Sequence, residues 1–197
     1  CLRDFRPDFF RNDFTSQVVV DVENAGAVKF YNLQGKSFSN SFQAELTIEP
    51  VKKFDIRLAY RYFGVKATYS GQLTERPLIA KNRAFANLAY AVNGFKFDYT
   101  ITYNGKKRLP DTQANIPAYQ LAQYSPDYVL MNAQISKTIG KKYPVEFYIG
   151  GENLTNYFQE HVILAADQPF SNYFDASMVW GPVSGRMFYA GFRLKIK

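Results

Sequence analysis

His161 is the only histidine in the chain, and histidine is the side chain whose proton chemistry works near neutral pH. As a general base it needs a nucleophile and an orienting group. Ser171 and Ser177 offer hydroxyls and Asp167 a carboxylate in the same stretch. A loop histidine among polar neighbours, with no chemistry, is the default reading. As a metal ligand, His161 lacks further histidines or cysteines at ligand spacing, so neither a metal site nor a cofactor is expected. Glu146 and Glu152 could form a carboxylate pair. On one strand they share a face about 20 Å apart, too far for glycoside hydrolysis. Gly150-Gly151 lacks the strand-to-helix setting of a phosphate loop; glycine in a curved strand explains it. Asn153-Leu154-Thr155 spells a glycosylation sequon. No catalytic residue is assigned, and the chain is expected not to be an enzyme.

The elements that must position these residues are strands. In FKFDYTITYNG, Phe95, Phe97, Tyr99, Ile101 and Tyr103 fall on one parity. Lys96, Asp98, Thr100, Thr102 and Asn104 fall on the other. Alternation of this kind places one face in an apolar medium and one in water. It recurs over residues 38–48, 55–62, 84–90, 128–139, 145–151 and 186–196, and over about 10–20, where Phe10, Phe14, Val18 and Val20 oppose Arg11, Asp13 and Gln17. The result is about eight strands. No stretch has the apolar spacing and caps of a helix.

Composition narrows the medium. The chain has 197 residues with 18 Phe, 15 Tyr and a single Trp. Mean hydropathy is −0.29, and no apolar run is long enough for a transmembrane helix. A membrane β-barrel keeps mean hydropathy low because only alternate residues meet lipid. The net charge of +7 gathers in Lys52-Lys53, Lys106-Lys107-Arg108 and Lys141-Lys142, between strands rather than on one face. Solvated turns explain that placement, and no nucleic-acid partner is expected. The single cysteine, Cys1, excludes an internal disulfide. CLRDFRPDFF lacks the small-residue tether of a lipid-anchored terminus, so a chain cut from a longer one is expected.

The connections alternate in length. Glu49-Pro50-Val51-Lys52-Lys53, Asn93-Gly94 and Gly140-Lys141-Lys142 are short. Asn-Gly is a strong hairpin signal because both turn positions tolerate positive φ. Residues 22–36, 64–82, 105–127 and 153–185 form long connections. Outer-membrane barrels have tight periplasmic turns and long extracellular loops. Strands of about ten residues tilted near 45° span an apolar band of about 25 Å. Aromatics toward strand ends fit interfacial girdles. A soluble sandwich or lipocalin-like barrel is the competing fold.

Two stretches carry a family resemblance. YIGGENLTNYF (148–158) and NYFDASMVWGPVSGRMFYAGFRLKIK (172–197) resemble the carboxyl end of a TonB-dependent outer-membrane receptor. Glu152-Asn153-Leu154-Thr155-Asn156 is similar to the family's element closing the penultimate strand. FDASMVWGPVSGR is similar to receptors of Bacteroidota, and FYNLQGKSFSNSFQAELTIEP (30–50) looks like barrel strands of that group. Tyr189, Gly191, Leu194 and Ile196 resemble the outer-membrane assembly signal, although the chain ends Ile-Lys rather than in an aromatic. The resemblance implies a barrel of about 22 strands around a plugged lumen, with residues 1–197 as its C-terminal portion and the plug and coupling box outside them.

It further implies uptake of a scarce nutrient such as ferric siderophore, haem or cobalamin. The implied partners are outer-membrane lipid and lipopolysaccharide, the barrel assembly machinery, the plug and TonB. Loop aromatics are candidate ligand contacts, with Tyr119, Tyr124, Phe170, Tyr173 and Trp180 foremost. Loop-to-loop packing is the equal alternative for each. At the level of sequence a complete eight-stranded barrel with a structural or adhesive role stays open, as does a barrel hydrolase using His161.

Overall fold

The computed structural model describes residues 2–23, 27–140 and 143–194. Its principal sheet is antiparallel and nine-stranded. Eight strands follow one path: β1 (Leu2–Phe14), β4 (Ser37–Val51), β5 (Phe54–Tyr69), β7 (Asn82–Val92), β8 (Phe95–Asn104), β9 (Tyr128–Ile139), β10 (Val145–Glu152) and β11 (Met187–Leu194). The ninth, β6 (Gln72–Glu75), pairs with the far end of β5. A separate two-stranded sheet joins β2 (Val18–Asp21) to β3 (Lys29–Asn32). The only helical element among the described residues is a short 3-10 turn, Pro117–Tyr119.

The registers bring the alternating residues into one continuous apolar face. Phe9, Phe42 and Tyr62 lie in one row, and Phe5, Leu46, Leu58, Ala86, Ile101 and Met131 in another. Phe97, Ile135, Ile149 and Ala190 continue it across the last strands. Protein does not cover this face. Leu58 is 40% exposed and Ile149 62%. The buried apolar residues are few and lie away from the strand centres: Val19, Ala67, Tyr69, Ala80, Leu109, Tyr128, Leu164, Ala165 and Met178. A water-soluble sheet would bury such a face against a second layer. A sheet in lipid needs no second layer.

The opposite face is polar and internally paired. Arg57 bonds Glu45 at 2.6 Å, Arg3 bonds Asp55 at 2.9 Å, and Glu146 receives Arg193 at 2.8 Å and Ser136 at 2.9 Å. Near the short-turn end a hollow of about 400 Å³ opens on this face, bordered by Lys53, Asp55, Lys96, Asp98, Glu146 and Arg193.

Short turns share one end of the sheet and long connections the other. Lys52-Lys53 and Asn93-Gly94 are two-residue turns. Asn93 and Gly94 have φ of 48° and 79°, the pair of positive values that a tight hairpin of this twist demands. The third short turn includes Lys141 and Lys142, which lie outside the described residues.

Three expectations change. The strand expected over about 10–20 divides: β1 begins at Leu2, the chain bends at Thr15-Ser16, and β2 leaves the main sheet. Its parity also inverts. Phe5 and Phe9 join the apolar face, while Phe10 opposite Ser41 and Phe14 opposite Ser37 join the polar one. Consecutive Phe9-Phe10 satisfies either parity, and pairing with β4 decides. The expected 55–62 strand extends to Tyr69, and 64–82 is largely sheet through β5 and β6. The absence of helix is modified only by the 3-10 turn.

Candidate functional site

The long connections form a layer over one end of the sheet, and the candidate aromatics divide within it. Tyr119 and Tyr173 come together with ring centroids 5.6 Å apart. The Tyr119 hydroxyl donates to Asp167 at 2.8 Å, and that bond raises the phenol's pKa above its usual value. This contact joins the 105–127 and 153–185 loops. Trp180 instead packs with Tyr128 and Tyr157, whose own rings stack at 4.7 Å. Tyr124 stands apart, its hydroxyl 3.5 Å from Glu75. Phe170 projects fully into solvent at 101% exposure. Four of the five thus make loop contacts, and Phe170 is the one presented bare.

Lys107 and Arg108, part of the Lys106-Lys107-Arg108 run that the sequence places between strands, lie beside the Trp180 cluster. Lys107 Nζ donates to the Trp180 carbonyl and sits 5.7 Å from the Tyr128 ring centroid. Burial, aided by the charge of Arg83, pulls its pKa below the ordinary lysine value. Arg108 makes a bidentate ion pair with Glu23 and donates through Nε to the Glu75 carbonyl at 2.6 Å. The Glu23 hydrogen bond pushes the guanidinium pKa further up.

Gln159 and Asn153 order the last long loop. Gln159 is almost wholly buried; its amide donates to the His161 and Met178 carbonyls and accepts from the N–H groups of Trp180 and Gly181. Asn153 donates to the carbonyls of Tyr157 and Ser184, and its oxygen accepts from Thr155 and Tyr157. Asn153 and Asn156 have φ of 50° and 55°, a region asparagine enters more readily than most residues. Leu154 N–H bonds the Met131 carbonyl at 2.7 Å, Thr155 the Val129 carbonyl at 2.8 Å, and Asn156 accepts from Arg186 N–H at 3.0 Å. The Asn153–Asn156 element is a clasp that turns the chain out of β10 and sends it back into β11. With its amide so engaged, Asn153 serves this clasp rather than a sequon.

Of the residues considered for catalysis, His161, Asp167, Ser171 and Ser177 lie in the last long loop, where His161 is exposed and its backbone carbonyl accepts from Gln159. Asp167 accepts from Tyr119, Ser171 Oγ accepts from the Tyr173 N–H, and the Ser177 N–H bonds Asp175. Glu146 and Glu152 share the polar face of β10, Glu146 within its ion pairs. Gly150 lies in β10, where a Cβ would come within 2.5 Å of the Tyr189 ring; Gly191 meets Tyr148 in the same way. Tyr189 and Gly191 of the expected assembly signal are therefore half of a reciprocal tyrosine-on-glycine packing between β10 and β11. Leu194 lies on the apolar face opposite Val145. Ile196 lies outside the described residues. Among the described residues no group of three His, Cys, Asp or Glu is placed to hold a metal.

The antiparallel path of eight strands, with one exposed apolar face, one charged face, tight turns at one end and long loops at the other, matches in fold part of the β-barrels of solved ferric siderophore receptors. Among solved structures, it is similar to the ferric enterobactin receptor of Pseudomonas aeruginosa, with TM-score 0.65 and 14% identity over 94% of this chain and 28% of that one. The ferric preacinetobactin receptor of Acinetobacter baumannii matches with TM-score 0.65 and 13% identity over 96% of this chain and 27% of that one. The ferric-catecholate import receptor of E. coli matches with TM-score 0.62 and 11% identity over 97% and 25% respectively. At these identities the likeness is one of fold. The chain spans about a quarter of the length of these receptors. No protein-family model matches the sequence, and neither does any curated protein sequence.

Proposed function

We propose that residues 1–197 are the C-terminal part of the barrel of a TonB-dependent receptor that imports a scarce nutrient across the outer membrane. The carrying observation is the apolar face that runs across all eight strands, broken by charge toward the long-loop end of β1 at the paired Arg11 and Asp13, and backed by a charged, ion-paired face. Lipid covers the first and a hydrated lumen the second. The charged hollow beside Lys96, Asp98, Glu146 and Arg193 is where the barrel wall would meet a plug. The long loops face outward and carry the aromatic and basic side chains that would meet a ligand.

Ferric siderophore is the favoured ligand class, because the similar structures are receptors for ferric enterobactin, ferric preacinetobactin and ferric catecholates. Haem and cobalamin are the other classes the resemblance offers. The test is growth of the parent organism on ferric siderophore as sole iron source, with and without the gene. Loss of growth restored by the intact gene supports the reading. Unchanged growth and unchanged ferric-catecholate, haem and cobalamin uptake would overturn it.

A further inference from the structure

Lys107 and Arg108 are neighbours in sequence, yet between them they touch all four long connections. Arg108 grips Glu23, at the start of 22–36, in a bidentate ion pair. Its Nε donates to the Glu75 carbonyl, and its own carbonyl accepts from Leu78 N–H at 2.8 Å, both within 64–82. Lys107 donates to the Trp180 carbonyl in 153–185. The dipeptide itself belongs to 105–127, held there by Ser125, which donates its N–H to the Lys107 carbonyl and accepts the Lys107 N–H.

We infer that this dipeptide is a strap: the outward loop layer moves as one body while Arg108 holds Glu23, and separates into independent loops when that pair breaks. The Arg108 and Glu23 side chains are only 10% and 21% exposed. Two charges so shielded are poorly screened by salt, and leaving either without its partner is strongly unfavourable. The remaining strap bonds end on uncharged groups, backbone carbonyls and the Ser125 hydroxyl, so they hold position without setting sign. The Arg108–Glu23 pair is the one link in which opposite charges choose each other across 85 positions of sequence. The inference rests on the reading of these loops as the outward layer of a receptor.

The test is hydrogen exchange on the intact receptor in outer-membrane vesicles, comparing the parent with Glu23→Gln, Arg108→Met and the swapped pair Glu23→Arg with Arg108→Glu. Each single change should speed amide exchange by about tenfold or more in the β2–β3 hairpin, in 72–80 and in 105–125 together. Exchange in β7, β8 and β9 should stay at the parent rate, and the swapped pair should recover much of the loss. Parent-like loop exchange in both single variants would overturn the strap. So would acceleration confined to the segment carrying the substitution, or equal acceleration in loops and strands. A receptor that binds no siderophore can still show the coupled exchange, so failure of the ligand reading and failure of the strap are separable.

Discussion

Leu58 and Arg57 are adjacent in β5 and face opposite media. Leu58 lies between Leu46 and Ala86 on the apolar face. In the proposed membrane setting, the outward residues from Phe54 to Tyr62 would span about 20 Å of membrane normal at a tilt near 45°, with Leu58 close to the midplane. Arginine there costs about 2–4 kcal/mol, or about 30- to 700-fold in the folded ratio. Arg57 lies on the charged face, pairs with Glu45 and lies 5.9 Å from the Phe85 ring centroid. The Arg57 side chain is 54% exposed, so Arg57→Ala removes little. In the intact receptor, Leu58→Arg should sharply reduce the heat-modifiable form in the outer membrane, and Arg57→Ala should leave it near the parent level. Urea titration of the folded fraction would give the magnitude. Equal losses from the two variants would refute the assignment of faces.

The same logic predicts that Tyr99→Arg impairs assembly while Thr100→Lys is mild, read by membrane fractionation. Asn153→Ala should destabilise the receptor by about 2–4 kcal/mol through lost hydrogen bonds and a left-handed backbone, seen as a lower urea midpoint. Gly150→Val should displace Tyr189 and cost about 1–3 kcal/mol; an unchanged midpoint would contradict the packing seen between β10 and β11. An epitope inserted near Asn115 should be labelled on intact cells, and one at Asn93-Gly94 only after the outer membrane is opened.

Where the two faces of a strand met different media, the alternation was legible residue by residue. Tyr99 and Thr100 in β8, and Ile149 and Glu146 in β10, lie on the faces their parity indicates. The reading faded where that contrast ended. Beyond Tyr62 the apolar set of β5 changes parity, from Ile56, Leu58, Tyr60 and Tyr62 to Phe63, Val65, Ala67 and Tyr69, and Ala67 and Tyr69 are buried with Val19 of β2; that switch of face hid the extension of the strand to Tyr69. In β1 consecutive phenylalanines offered both parities, and a register set by β4 chose between them. The loop layer was least legible. Tyr119 and Tyr173 were singled out as aromatic and do meet, but Arg108 meets Glu23 and Lys107 meets Trp180 across separations that no local pattern encodes. Gln159 gave no signal at all: a lone glutamine becomes the anchor of a loop only when four backbone groups converge on it.

The claim on which the rest depends is that one face of this sheet lies in lipid. Spin labels placed singly at residues 56 through 62 of the intact receptor in bilayers test it directly, by comparing collision with oxygen and with a water-soluble nickel chelate. Strict alternation is expected, with oxygen dominating at Ile56, Leu58, Tyr60 and Tyr62 and the chelate at Arg57, Ala59 and Arg61. Chelate access at all seven positions, or oxygen access on the odd set, would contradict it.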